Sequence, residues 1–489
     1  MAHGLAVCLV TEDNPPMFGL ETDVFILLFI SLFAACAFEF VNGFHDTANA
    51  VATVIYTNSL KPTIAVVWSG ICNFTGVLLG GIGVAMGIVN LLPVELLVDQ
   101  NVYHSIAMVM ALLLSAIIWN LGTWYFGLPS SSSHTLIGSI LGVGLAFATL
   151  PDNKTGSAVN WEKAIETGEA LLLSPLLGFS LVIILMFLIR RMVPQETKDQ
   201  LFKEPKKNAP PPAWIRGILI ATCSLVSFFH GSNDGQKGVG LIMLILIGVV
   251  PFHFAIKTDL DPRLLQTNIA AIEQTASSIN AKQLSPTNQT RLTQTLNELT
   301  ELKALVNGPL VDNRIPQEKR LDVRRDLLLI NSNMNKVVED EGANVSPSQL
   351  AVLKKNLGEE SGLRRFTDYA PLWVILMIAL SLGLGTMIGW RRIVVTVGEK
   401  IGKQHLTYAQ GASAELTAAT MIGVASWLKL PVSTTHVLSS GIAGSMVANK
   451  GIKNLQAGTV RNIALAWLLT LPVSVLLSFT LYIFFRWLL

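Results

Sequence analysis

Two stretches of this chain set ionisable and amide side chains inside otherwise apolar sequence. The first is Gly43-Phe44-His45-Asp46-Thr47-Ala48-Asn49, and the second, 188 positions later, is Gly231-Ser232-Asn233-Asp234-Gly235-Gln236-Lys237. Strongly apolar segments flank both, so Asp46 and Asp234 fall at the depth of a lipid bilayer. An ionisable group there is costly and marks a functional site by default. Such carboxylates can hold a cation or carry a proton, with Asn49 and Asn233 to orient them, His45 to relay a proton and Lys237 to neutralise charge. The glycine ahead of each Asp is expected to let the backbone leave the helix and offer its own polar groups to a ligand. The plain alternative is a glycine kink with an Asp facing a watery vestibule, and the recurrence of the motif weighs against it.

A second pair carries hydroxyls. Leu128-Pro129-Ser130-Ser131-Ser132-Ser133-His134-Thr135 recurs 302 positions later as Leu430-Pro431-Val432-Ser433-Thr434-Thr435-His436-Val437. Proline halts what precedes it, and Ser or Thr caps the short apolar helix that follows. A helix start exposes backbone N–H donors and the positive end of the dipole, which favours an anion and above all a phosphate. Ser131, Ser132 and Ser133, with Ser433, Thr434 and Thr435, add neutral donors. Two such starts facing each other would wrap a tetrahedral oxyanion from both sides, whereas one alone is an ordinary helix cap.

The elements that must position these motifs follow from composition. The chain has 489 residues, 51% of them hydrophobic and 14% charged, with mean hydropathy +0.52. That is too little charge for a water-soluble protein, and the reading is an all-α polytopic membrane protein. Spans are expected near 24–40, 64–89, 106–124, 170–189, 215–229, 372–390, 407–427 and 463–485. Shorter pieces at 47–56, 136–150, 239–254 and 437–448 each follow a polar motif and read as broken or re-entrant helices, for roughly 10–12 membrane segments in all.

From 257 to 367 the sequence turns polar, and Leu292, Leu296, Leu299, Leu302 and Leu305 recur at helical steps. This is a soluble, mostly helical insertion, expected to be dispensable for the activity of the membrane halves. The two motif offsets differ by 114, close to the length of that insertion, so one ancestral half occurs twice. The organisation read from this is a first membrane repeat at 1–193, a linker at 194–213 and the start of a second repeat at 214–256. The insertion follows at 257–367, and the rest of the second repeat at 368–489.

Arg190, Arg191, Lys198, Lys203, Lys206, Lys207 and Arg216 crowd the loop before Ile218, while Arg391, Arg392, Lys400 and Lys403 crowd a later loop. The excess of Lys and Arg puts these loops in the cytoplasm and both termini and the insertion outside. The two halves then face opposite ways, and an inverted repeat places its substrate near the midplane. Glu12, Asp13, Glu21 and Asp23 ahead of the first apolar run argue against a cleavable signal. The four cysteines lack metal-site spacing, and a net charge of +2 gives no reason to expect a nucleic-acid partner.

At these residues the chain resembles the inorganic phosphate transporter (PiT) family, and most nearly its bacterial low-affinity members. Gly43, Asp46, Ala48 and Asn49, and again Gly231, Asn233 and Asp234, match its duplicated Gly-Ala-Asn-Asp-x-Ala-Asn signature. Both Pro-x-Ser-Ser/Thr-Ser/Thr-His hairpins match as well, with His134 and His436 as secondary candidates. The resemblance implies a homodimer in the bacterial inner membrane that carries phosphate with sodium or protons. It also implies transport, in bacterial members, of neutral complexes between phosphate and a divalent metal, with no permanently bound cofactor.

The departures bear on the coupling ion. His45 replaces a signature Asn, and Gln236 and Lys237 replace the second Ala-Asn. Asn73 stands where sodium-coupled relatives often have Glu, while Glu415 remains acidic. A sodium site needs several hard oxygen ligands, so these changes favour proton coupling.

Rival classes fit less well. An intramembrane hydrolase pairing Ser133 with His134, or Thr435 with His436, fails because adjacent helical residues point about 100° apart. A channel can also contain broken helices, but paired anion cradles suit alternating access better. No Gly-x-x-x-x-Gly-Lys-Ser/Thr stretch for ATP is present.

Each charge-assisted hydrogen bond lost to phosphate costs about 1.5–3 kcal/mol. Ser132→Ala or Thr434→Ala should therefore weaken phosphate binding by about one to two decades in equilibrium binding to the folded protein. Unchanged affinity in the folded double variant would refute this assignment of the hydroxyls.

Overall fold

The computed structural model describes residues 20–489 except 90, 93–100, 152–158, 207–208 and 308–313. Glu12 and Asp13 of the acidic leader, and Lys207 of the linker, lie outside the described residues. The first half comprises α1 (Thr22–Tyr56), α2 (Pro62–Leu79), α3 (Gly83–Val89), α4 (Val102–Tyr125), α5 (Ser132–Ala148) and α6 (Trp161–Met192). After α7 (Gln195–Leu201) in the linker comes α8 (Ala213–Val249). The polar insertion forms α9 (Pro262–Ser277), α10 (Pro286–Val306), α11 (Arg320–Val338) and α12 (Pro347–Leu357). The second half resumes with α13 (Leu372–Thr386), α14 (Arg391–Val395), α15 (Tyr408–Trp427), α16 (Thr434–Lys450) and α17 (Ala457–Leu488).

The halves are interleaved. α1 packs on α13 while α8 packs on α2, and α5 packs on α17 while α16 packs on α6. Each helix thus leans on the counterpart of its own half's partner, the arrangement of a duplicated unit related by a two-fold axis.

Glycines permit the two central crossings. A Cβ at Gly43 would lie 2.5 Å from Leu382 O, and one at Gly385 would lie 2.2 Å from Phe40 O. In the other half, a Cβ at Gly231 would lie 2.1 Å from Asn73 O, and one at Gly76 would lie 2.0 Å from Phe228 O. Between apolar helices in a membrane, close backbone approach through small residues supplies much of the packing.

This corrects one expectation. The Asp motifs do not break their helices, because α1 and α8 run unbroken through Gly43 and Gly231. These glycines serve contact between helices instead of local unwinding. The hydroxyl motifs do interrupt the helix, at 126–131 between α4 and α5 and at 428–433 between α15 and α16. Equivalent residues take left-handed backbone in both breaks, Gly127 at φ +66° and Lys429 at φ +61°.

Among the described residues six helices are long and apolar enough to cross a bilayer, and α13 with the 55° bend into Arg391–Lys400 makes a seventh. The helices following the hydroxyl motifs, α5 and α16, have 17 residues each and are the short pieces expected after those motifs.

The insertion folds around its own core, which includes Leu265, Ile269, Leu299, Leu302, Val323 and Ile330. Of the leucine stripe, Leu292, Leu299 and Leu302 are buried, and Leu296 and Leu305 pack partly against them. Its neck is closed by Lys257 N donating to Phe366 O at 2.8 Å. The buried Arg324 guanidinium donates to Ala255 O at 2.9 Å and Thr367 O at 3.0 Å, tying both strands of the neck. Two ion pairs reach the membrane helices, Lys336 to Glu162 at 3.2 Å and Glu359 to Lys429 in the second break. α13 therefore starts at the face bearing this domain, and the Gly389–Lys400 bend lies at the opposite face.

In this domain Asp326 is fully buried beside Arg325, with Nη2 to Oδ1 at 2.9 Å. Burial pushes its carboxyl from 3.8 up to about 7, against the pull of Arg325, and the Glu298 carboxyl adds to the rise. A carboxyl raised on folding binds its proton more tightly in the native state. Its stabilising effect is therefore present at low pH and is lost as pH rises through about 7. Amide protection factors of α10 and α11 in the intact protein should fall as pH rises from about 5 to 8, and Asp326→Asn should flatten that slope.

Candidate substrate and coupling site

The two hydroxyl hairpins enter from opposite faces and meet head to head. Ser131 caps α5, its Oγ accepting from His134 N at 3.2 Å, and Ser433 caps α16 by accepting from His436 N at 3.2 Å. Ser133 Oγ donates across the junction to Val432 O at 2.7 Å. The His134 and His436 rings lie 4.4 Å apart, and His436 stacks on Trp467 at 4.0 Å. Trp467 Nε1 in turn donates to Pro129 O at 2.9 Å. First-turn N–H groups have no acceptor within their own helix, so two positive helix ends converge on one buried region. That is an anion cradle built from both halves.

The carboxylates approach from α1 and α8. Ser132 Oγ lies 3.1 Å from Asp46 Oδ2 and 3.3 Å from Asp234 Oδ2, so one hydroxyl bridges both motifs. Thr435 Oγ1 donates to Asp46 Oδ1 at 2.6 Å and accepts from Asn49 Nδ2 at 3.1 Å. Lys237 Nζ, wholly buried, sits 2.7 Å from Asp234 Oδ1 and 2.6 Å from Ser133 Oγ. His45 Nδ1 meets Asp46 Oδ1 at 3.2 Å while its Nε2 faces Thr123 Oγ1 at 3.2 Å. Eight predicted groups (His45, Asp46, Asn49, Ser132, Ser133, Asp234, Lys237 and Thr435) therefore form one connected cluster.

Other predicted residues take different places. Asn233 does not hold a carboxylate. Its amide donates to Ser426 Oγ and Leu430 O, both at 3.1 Å, and its Oδ1 accepts from Val432 N, so it fastens the second hairpin. Thr434 is buried, and no protein partner engages its hydroxyl among the described residues. Glu415 is away from the cluster. It accepts from Thr222 Oγ1 at 2.5 Å and makes no hydrogen bond to the cluster's residues.

Two acidic or basic groups escaped the sequence reading. His230 Nε2 stands 3.7 Å from Asp46 Oδ2 and 3.6 Å from Asp234 Oδ2. Asn73 fixes this ring. Its amide donates to Thr386 Oγ1 at 2.9 Å, which leaves Oδ1 to accept from His230 Nδ1 at 2.9 Å. With Nδ1 carrying hydrogen, Nε2 points at two carboxylates and has no hydrogen-bond partner, the position where a proton or cation is needed. Glu39, one turn before Gly43, is fully buried and accepts from Asn42 Nδ2 at 3.2 Å. Gly238 leaves it room, since a Cβ there would lie 2.7 Å from Glu39 Oε1. Both residues flank the motifs, but their repeat counterparts are Asn42 for His230 and Ser227 for Glu39, so symmetry did not flag them.

Residues 42–478, which include every group in this cluster except Glu39, match the phosphate transporter family. The chain belongs to the phosphate transporter family. It is 43% identical to the low-affinity inorganic phosphate transporter PitA of Escherichia coli K12, over 95% of this chain and 97% of that protein. A probable low-affinity inorganic phosphate transporter of Bacillus subtilis is 29% identical, over 94% of this chain and 96% of its own length. The fold matches a solved structure titled the sodium-dependent phosphate transporter, at TM-score 0.54 and 19% identity, covering 95% of this chain and all of that one. Membership makes the chain a multi-pass membrane transporter and not an enzyme, which disposes of the Ser/His hydrolase.

The His230–Asn73–Thr386 chain is buried throughout, so a missing partner is not replaced by water. Asn73→Leu should destabilise the protein by about 1–3 kcal/mol, the cost of leaving a buried donor unsatisfied, read as a lower unfolding midpoint in detergent.

Proposed function

We propose that this chain is a secondary importer of inorganic phosphate, driven by protons, working by alternating access in a bacterial inner membrane. The observation that carries this reading is competition for donors. Ser132 and Thr435 belong to the two anion cradles, yet both hydroxyls are spent on Asp46 and Asp234.

A dianionic phosphate beside two carboxylates is repelled. When the carboxyls take protons, two changes follow together. The repulsion falls, and Ser132 and Thr435 are released to turn toward phosphate. Proton and phosphate binding then favour each other, and the coupling is reciprocal. After release on the other side, the carboxylates lose their protons and recapture the hydroxyls. His230, facing both carboxylates, and His45, bridging Asp46 and Thr123, supply a path for the proton.

Lys237 supports protons over sodium. Its ammonium occupies the space between Asp234 and Ser133, where a fixed positive charge opposes entry of a second cation. The neighbouring Asp46, His230 and Asp234 offer ligand atoms within 4.8 Å of one another. Carboxylate oxygens with one imidazole nitrogen suit a divalent metal, which supports carriage of phosphate as a neutral metal complex, the metal being cargo. The placement of Lys and Arg supports an external domain and external termini, and the family resemblance supports a homodimer.

Asp46→Asn and Asp234→Asn should each abolish proton-driven phosphate accumulation in proteoliposomes while leaving a folded protein. Lys237→Asn should gain a measurable sodium response. If both Asp→Asn variants still concentrate phosphate on a proton gradient alone, the coupling assignment is wrong.

A further inference from the structure

At the face opposite the soluble domain, the end of α4 and the bend after α13 enclose a cavity of about 630 Å³ that is separate from the buried cluster. Its lining brings together Arg391, Arg392 and Lys400 with Trp124, Tyr125 and Trp390, and contains no carboxylate. Arg392 is held in place. Nη1 donates to Tyr125 O at 2.6 Å, and the guanidinium lies over the Trp124 and Tyr125 rings at 5.1 and 5.0 Å. Arg391 and Lys400 have no ion-pair partner among the described residues. Glu399, the acid next to Lys400, lies outside the lining.

Arg391, Arg392 and Lys400 are exposed to solvent, as is Glu399 beside them, and three cations gathered on one open pocket favour an anion there. The rim says more. Tyr125 is 60% exposed, Phe126 75% and Ile388 56%, a surface suited to acyl chains and the headgroup boundary.

We propose that this pocket binds a phosphate group, held by Arg391 and Lys400 and oriented by the fixed guanidinium of Arg392, and that the apolar rim selects the phosphate of an anionic phospholipid. Basic pockets between membrane helices take such headgroups, and arginine supplies the planar fork that phosphate oxygens fit. The site is built into the base of the first hydroxyl hairpin. Trp124 Nε1 donates to Gly389 O at 2.8 Å, and Thr396 Oγ1 donates to Gly127 O at 2.7 Å. An occupant therefore braces the turn that leads to Ser131. This is independent of the coupling ion and uses none of the residues in the substrate cluster.

The test uses the full chain in nanodiscs of phosphatidylcholine alone or mixed equally with phosphatidylglycerol. The wild type is compared with the double variant Arg391→Gln/Lys400→Gln and with the charge-keeping Arg391→Lys/Lys400→Arg. Retained phosphatidylglycerol is counted by native mass spectrometry. Labelled inorganic phosphate binding is measured in the phosphatidylcholine discs. The expected result is a drop of about tenfold in retained phosphatidylglycerol for the glutamine pair only, with phosphate binding unchanged. Loss instead of a second class of phosphate sites, with lipid retention unchanged, would keep the phosphate-group site and assign it to free phosphate. If the folded glutamine pair alters neither, the proposal is overturned.

Discussion

One serine hydroxyl lies between two buried carboxylates, and much of the molecule serves to hold that geometry. Ser132 touches Asp46 and Asp234 together, and both carboxylates are buried. A buried charge without partners is strongly destabilising. The surrounding groups answer that cost one by one. Lys237 neutralises Asp234, Thr435 and His45 hydrogen-bond Asp46, and His230 faces both. The same groups are the donors an anion needs, so satisfying the carboxylates and binding substrate draw on one limited set.

The duplicated architecture explains how such a site can be assembled. Each Asp helix crosses the second helix of the other half through paired glycines, Gly43 with Gly385 and Gly231 with Gly76. Each hydroxyl helix packs on the last helix of the other half. The carboxylates and the helix starts therefore reach the centre from both repeats. The repeats have diverged where charge matters, with Lys237 opposite Asn49 and His230 opposite Asn42. A symmetric scaffold thus holds an asymmetric charge set, with a tethered cation on one side only. The soluble domain joins the same framework, since Glu359 pairs with Lys429, which takes the left-handed position that Gly127 has in the first hairpin.

Much of this was legible in the sequence because polar residues in apolar runs stand out. Asp46, Asp234, Lys237 and both hydroxyl triads were found that way, and so was the separate helical domain, from its loss of hydrophobic runs. What was misread shares a cause. A glycine beside an Asp gives one signal for two structures, a broken helix or a tight crossing, and only the partner backbone distinguishes them. Glu415 had the right chemistry on an apolar helix but is bonded to Thr222 and not to the cluster. Asn233 matched a signature position but fastens a hairpin. His230 was missed because its importance rests on Asn73, 157 positions earlier, which turns the ring toward the carboxylates.

The central claim is that protons and phosphate bind together at the Asp46–Ser132–Asp234 cluster. The most direct test is phosphate-evoked proton movement by the wild-type protein in sodium-free proteoliposomes, with no ATP and an internal pH indicator. The account predicts that adding external phosphate acidifies the interior at a rate that saturates with phosphate. It also predicts that a proton gradient alone drives phosphate above equilibrium. Saturable phosphate uptake that leaves internal pH unchanged, and that accumulates only when sodium is supplied, would contradict it.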